Sequence, residues 1–336
     1  MERKKYSDVL FTANKGYIDI LLASIYSLLL NGELKNLRIH IISDGFDNYD
    51  YKRVEELITS FGDNEVYFYP LEEYDISKHN IPDWHGTQIS NARLFFGDIL
   101  KPYKLNIENL LYLDADTITV GNLDDLEKYK NKLHAVKDAC LNHYYKTLDG
   151  LSSYFNSGVI YFNVNEWMEN DYQGRVVKLL EDNRINLSYP DQDIFNCAIR
   201  DDINSLPVKY NIPPHAYMFK GNMRKIYFNP LFRNVNHEEI ADALGDPRII
   251  HTYGLSGIKP WQTTFNPYHD EYMKYITGVN PDFQVKQLDG FKKIVTMLPF
   301  IYKGMLIART YMNEPAEKYV RALSLKYHHS NNKNCQ

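Results

Sequence analysis

The sequence predicts an α/β protein built on a mostly parallel sheet with helices on both faces. Three observations lead there. Strand-like and helix-like segments alternate through the first half of the chain. Polar or acidic endings, "FTAN", "ISD" and "DAD", close three of the strand-like runs, at the carboxyl ends where such sheets bind ligands. No internal repeat or low-complexity linker breaks the pattern.

The first strand is "DVLFTAN" (8–14), and "YIDILLASIYSLLLNG" (17–32) is a helix closed by Gly32. "LRIHIISD" (37–44) is the second strand. "NYDYKRVEELITSFG" (48–62) is an amphipathic helix that also stops at a glycine, and "EVYFYPL" (65–71) is the third strand. After the polar loop "HNIPDWHGTQ" (79–88), "SNARLFFGDIL" (90–100) reads as a helix and "NLLYLDAD" (109–116) as the fourth strand. The second half is less regular. "LHAVKDA" (133–139), "FNSGVIYFNV" (155–164) and "RIIHTYG" (248–254) read as strands, with single helices over 165–183 and 189–202. A break within 266–284 divides an acidic body, 1–270, from a basic extension, 271–336, expected to be helical around Pro299 and Pro315.

Composition narrows the function. A 44% hydrophobic and 24% charged chain of 336 residues can bury a sizeable core. No apolar run approaches the roughly 20 residues of a membrane span. The start, "MERKKYSDVLFTAN", is charged and lacks an apolar signal region. Cys140, Cys197 and Cys335 are too scattered for a disulfide framework or a zinc site, which suits a cytoplasmic protein. Residues 285–336 hold nine Lys/Arg against three Asp/Glu, net +6; the rest holds 29 against 40, net −11. An acidic body argues against nucleic acid. The basic extension suits an acidic partner, such as the inner face of a membrane, or packs on the body to complete an acceptor site. The 28 tyrosines would suit sugar stacking, but a coding bias explains them more simply.

Two carboxylates, Asp114 and Asp116, close the fourth strand. In an extended strand residues i and i+2 point the same way, so the two converge. Carboxylates that close repel unless a cation lies between them or one is protonated. A hard divalent ion would satisfy both, with phosphate oxygens as further ligands. From these residues alone a turn cap at Asp116 with a solvated Asp114 remains an equal alternative.

Four longer motifs, "YLDADTITVGNLDDL", "YFNSGVIYFNVNEW", "YPDQDIFN" and "IIHTYGLSGIKPW", occur in an order that resembles glycosyltransferase family 8. The resemblance runs from about residue 7 to 268. It implies a GT-A fold, a Rossmann-like mixed sheet, and a retaining, manganese-dependent hexosyltransferase using a UDP-sugar, with magnesium as the other candidate ion. Asp114 and Asp116 match the acidic pair and His251 the third metal ligand; Ala115 lies between the carboxylates at the donor. Two carboxylates, an imidazole and diphosphate oxygens favour manganese, which would stabilise the leaving diphosphate. Lys259 matches a diphosphate contact. Thr12, Ala13, Asn14 and Tyr17 match the base and ribose site, with a neutral Asn14 where many relatives are acidic. Arg93 matches the arginine near sugar and diphosphate.

Asn156, Gly158, Asp138, Asp191 and Gln192 are the sugar-facing candidates, since carboxylates and amides read hydroxyls. Asp138, Asp191 and Gln192 are also the catalytic candidates, and Asp193 reads as a structural helix residue. The resemblance supplies no obvious nucleophile, because Gln192 occupies the nearest position and an amide is a poor one; a same-face, ion-pair-like displacement is adopted. The spacing of "HTYGLSGIKPW" is two residues longer than the family's, so Gly254 and Gly257 both qualify for the glycine of the diphosphate loop. Acceptors in view are a glycan, a glycolipid or a glycoprotein. The competing readings are a glycogenin-like self-glucosylating protein and a non-catalytic nucleotide-sugar-binding relative.

Overall fold

The computed structural model describes residues 6–311 apart from 80, 82–86, 149, 183–186, 254–256, 286–287 and 289. Its strands are β1 (Ser7–Asn14), β2 (Leu37–Asp44), β3 (Glu65–Pro70), β4 (Asn109–Asp114), β5 (Thr117–Thr119), β6 (His134–Lys137), β7 (Phe155–Asn163), β8 (Asn204–Leu206) and β9 (Ile249–His251). Seven form one sheet in the order β3-β2-β1-β4-β7-β6-β8, and β5 pairs with β9 in a separate ribbon. The block β3-β2-β1-β4 is parallel, as its strand–helix alternation predicts. β7 then runs antiparallel to β4 and β6, while β8 is parallel to β6, so the sheet is mixed with only β7 reversed and is mostly parallel, as expected. The β6–β7 connection holds only the five-residue helix Asn142–Lys146, and the chain returns antiparallel instead of crossing over.

Alternate residues of the central strands face opposite layers. Val9, Phe11, Ile39 and Ile41 pack with Leu21 and Ile25 of the helix Ile18–Asn31 on one side. Leu10, Ile42 and Tyr112 meet Phe96 and Trp167 on the other. Covered on both faces, β1 and β2 read as nearly continuous apolar runs. The helix Asn48–Thr59 starts where the Asp47 carboxylate accepts from the Tyr49 and Asp50 amides.

Two expected elements differ, and two strands, β5 and β8, were not expected. Residues 89–95 wind as a 3₁₀ segment before a short α-helix, Phe96–Leu100. An α-helix on a sheet buries only a stripe, whereas Asn91 to Phe96 are all buried. The helix expected over 165–183 is broken into Val164–Glu169 and Tyr172–Asp182, because Asp171 adopts a left-handed φ of 49°. β5 and β8 have three residues each, too few for any periodicity to register.

In the extension, the helices Gly290–Met297 and Pro299–Thr310 lie against the body. Val295 and Tyr302 join its core, and the Tyr302 ring stands 5.7 Å from Phe265. The helix expected around Pro315 falls outside the described residues. Among those described, no helix is long and apolar enough to cross a membrane.

Candidate active site

β4 ends at Asp114, and the chain turns through Ala115 and Asp116 before entering β5. The two carboxylates therefore converge through a turn, not through the pleat of one strand as the sequence suggested. Thr117 Oγ1 donates to the Asp114 carbonyl (2.8 Å), and Thr252 Oγ1 donates to the Asp116 carbonyl (2.9 Å). β5 pairs with β9 so that Thr117 faces His251, which brings the imidazole to the turn from 135 residues away. His251 Nε2 lies 3.5 Å from Asp114 Oδ2 and 3.2 Å from Asp116 Oδ1. Adjacent ligands of an octahedral ion with bonds of about 2.1 Å stand about 3 Å apart. One ligand atom from each residue lies within 4.8 Å of the others, so this donor set fits a single divalent cation.

Gly158 makes room for that geometry. A Cβ there would stand 2.1 Å from His251 Cε1 and 2.6 Å from Asp114 Oδ2. Placed among the sugar contacts by sequence, Gly158 abuts two of the three possible ligands.

Cations frame the acidic groups. Arg93 is buried; its Nη1 lies 2.9 Å from Asp114 Oδ1 and donates to the Ser157 carbonyl (2.6 Å), while Nη2 lies 3.4 Å from Asp191 Oδ2. Its guanidinium stacks 4.5 Å above the Tyr112 ring, and Tyr112 O–H donates to the same Asp114 oxygen (2.6 Å). Burial opposes the charge on Arg93, but Asp114 together with Tyr112, Asp191 and Asp116 outweighs it and raises the pKa. Lys259 Nζ donates to Asp116 Oδ2. Burial alone would raise Asp116; Lys259 and His251 overcome it and hold the carboxyl below its usual range. Asp191 goes the other way, raised by burial despite Arg93, as does Asp138 despite bonds from Asn156 and Gln192.

Beyond the triad lies a buried polar set. Asn156 Nδ2 donates to Asp138 Oδ2 (3.0 Å) and to Gln192 Oε1 (2.9 Å). Gln192 Oε1 also accepts from the Ser157 amide (3.1 Å), so both of its lone-pair directions are engaged. Ser157 Oγ donates to Asp191 Oδ2 (2.8 Å). Asp193 holds the start of the helix Pro190–Ile199: its oxygens accept from Tyr144, Tyr154 and the amides of Ser188 and Tyr189.

At the end of β1 the residues divide. Thr12 Oγ1 is bonded to Tyr112 O–H (2.9 Å), and the Ala13 side chain belongs to the core, leaving its backbone for a ligand. Asn14 Oδ1 is buried without a hydrogen-bond partner among the described residues. Tyr17 is 39% exposed and stands edge-on to Trp261, 6.3 Å between centroids. Gly257 has a φ of +73°, which only glycine adopts without strain. Gly254 lies outside the described residues.

Tyr112, Ser157, Asn211 and Thr252 touch the candidate ligands or the sugar-side carboxylates, yet sequence reasoning passed over them. Tyr112 was discoverable, since it precedes Asp114 by two residues on one strand. Asn211 had no local signal: it meets His251 across 40 residues.

The model of glycosyl transferase family 8 matches residues 8–264. A lipopolysaccharide 1,2-glucosyltransferase of Escherichia coli is 29% identical over 282 residues, covering 80% of this chain and 77% of that protein. A lipopolysaccharide 1,3-galactosyltransferase of Salmonella typhimurium is 25% identical over 252 residues, with 71% and 68% covered. Among solved structures, the galactosyltransferase LgtC bound to donor and acceptor sugar analogues superimposes with a TM-score of 0.65 at 19% identity, covering 86% of this chain and all of that one.

Proposed function

The chain belongs to glycosyltransferase family 8 and has a GT-A fold, and on that premise we propose that it moves a hexose, glucose or galactose, from a UDP-sugar to a glycan, glycolipid or glycoprotein acceptor. The observation that carries this reading is the convergence of Asp114, Asp116 and His251 beside Arg93 and Lys259, next to the end of β1. The activities of the relatives, glucosyl and galactosyl transfer onto lipopolysaccharide, support a hexose donor and a glycan or glycolipid acceptor.

Asp114, Asp116 and His251 would hold manganese, or magnesium in its place, and the ion would supply Lewis-acid stabilisation of the departing diphosphate. Lys259 adds positive charge beside the diphosphate. The unpartnered Asn14 Oδ1 and the exposed Tyr17 suit the nucleoside. Asp191 and Asp138, both with raised pKa, accept from sugar hydroxyls. Gln192 Oε1 already accepts two N–H groups, which favours retention through same-face, ion-pair-like displacement over attack by this amide. Turnover of a panel of UDP-sugars with manganese, with the product anomer read by NMR, tests the assignment. An inverted product, or no turnover of any UDP-hexose with any glycan acceptor, overturns it.

Peripheral membrane contact belongs to the same proposal. It is supported by the exposed side chains Met297, Phe300, Ile301 and Met305 on the extension, with Lys293 beside them.

A further inference from the structure

His251 Nδ1 lies 2.9 Å from Asn211 Oδ1, and Asn211 Nδ2 donates to Asn156 Oδ1 (2.8 Å). Asn156 in turn donates to Gln192 and Asp138. Five side chains, all at most 9% exposed, thus form an unbroken line from the possible metal ligand to the sugar-side carboxylate. Amides are reversible in such a line unless something fixes their direction. Here two backbone amides do. Gly158 N–H donates to Asn156 at 3.0 Å, so that side of Asn156 must be its oxygen. An oxygen accepts, so Asn211 must present its NH₂ to it and its own oxygen to His251. The imidazole then carries a proton on Nδ1, so Nε2 is the nitrogen presented to Asp114 and Asp116 and to any cation held between them. At the other end, Ser157 N–H requires an oxygen from Gln192, whose NH₂ then faces Asp138 Oδ2 at 3.4 Å.

We propose that Asn211 is a positioning residue that fixes the Nδ1–H tautomer of His251 and, through Asn156, ties the imidazole to the Asp138–Gln192 end of the site. This rests on the metal reading above for what Nε2 holds. A carbonyl or carboxylate behind a ligating imidazole sets its tautomer and orientation, and loss of such a partner typically lowers metal affinity about 10–100-fold.

The test compares Asn211→Leu, which keeps the branched outline and loses every bond, with Asn211→Asp, which keeps an acceptor for Nδ1 and loses the donor to Asn156. Histidine-¹⁵N spectra of the metal-free enzyme report the tautomer, with His251 assigned by difference from His251→Gln. Wild type and Asn211→Asp should show Nδ1–H, and Asn211→Leu a mixture. Manganese titration by electron paramagnetic resonance, with UDP present, should weaken at least about tenfold in Asn211→Leu and stay within about threefold in Asn211→Asp. The Asp variant should nevertheless lose kcat, because its carboxylate confronts Asn156 Oδ1 with no proton to share. Melting curves establish that both fold. An unchanged tautomer in folded Asn211→Leu overturns the proposal, as does equal manganese loss in the two variants. If Asn211→Leu fails to fold, Asn211→Asp decides by the tautomer and the split between metal affinity and kcat. If wild type binds no manganese, the metal reading falls, and the metal-free spectra still decide the role of Asn211.

Discussion

Single residues carry the site's tightest constraints. Gly158→Ala forces a Cβ against His251 and Asp114, and overpacking of this kind costs about 1–3 kcal/mol. Manganese affinity should fall more than stability does, read by titration and melting of the same sample; equal affinity in a folded variant would show that the triad does not need this glycine. Arg93→Leu leaves Asp114 and Asp191 without their buried cation, a loss that typically costs about 3–5 kcal/mol; denaturant midpoints check it. His215 stacks on Tyr227, and burial, with Arg233 and Arg309 nearby, pushes its pKa down to about 3. Its folded pKa lies below the unfolded value, so the stability it contributes is present above about pH 6.5 and is lost as pH falls toward 3. The melting temperature of His215→Phe should therefore decline less with acid than that of wild type over this window.

At the scale of elements, the ribbon of β5 and β9 assembles the triad, and the helix Pro190–Ile199 delivers Asp191 and Gln192. Tyr154→Phe removes one of the donors that anchor that helix through Asp193. It is expected to lower kcat with little change in UDP affinity, because in the proposed function β1 and the triad hold the nucleotide; an equal fall in both would place the helix at the nucleotide instead. These elements also show what a sequence discloses. β1, β2 and β4 were legible because each is a buried apolar run with a polar end, and β3 as a short run of aromatic and β-branched residues. The acidic pair was legible as two like charges at such an end. The turn that joins them was not, because it depends on Thr117 and Thr252 bonding to carbonyls, and threonine there carries no periodic signal. Asn211 was invisible for the same reason: its partners, His251 and Asn156, lie on other elements, and only the folded chain brings them together.

Over the whole molecule, the extension is tied to the body near Asp138. Arg233 donates both to the Ala139 carbonyl, beside Asp138, and to Thr310 in the last described helix. Truncation after residue 284 is thus expected to lower the melting temperature and activity on every acceptor. Charge and exposed apolar side chains give the same segment a second expected role. Full-length enzyme should float with vesicles of anionic phosphatidylglycerol, and Phe300→Ser with Ile301→Ser should abolish this while sparing turnover of a soluble acceptor. The central claim, that a divalent ion at Asp114, Asp116 and His251 holds the nucleotide diphosphate, is tested most directly by calorimetric titration of UDP with and without manganese. UDP should bind at least about tenfold more tightly with manganese, the scale of one ordinary coupling between ligands, and Asp116→Ala in manganese should behave like chelated wild type. Equal UDP affinity in manganese and in excess chelator, with Asp116→Ala indistinguishable from wild type, would contradict it.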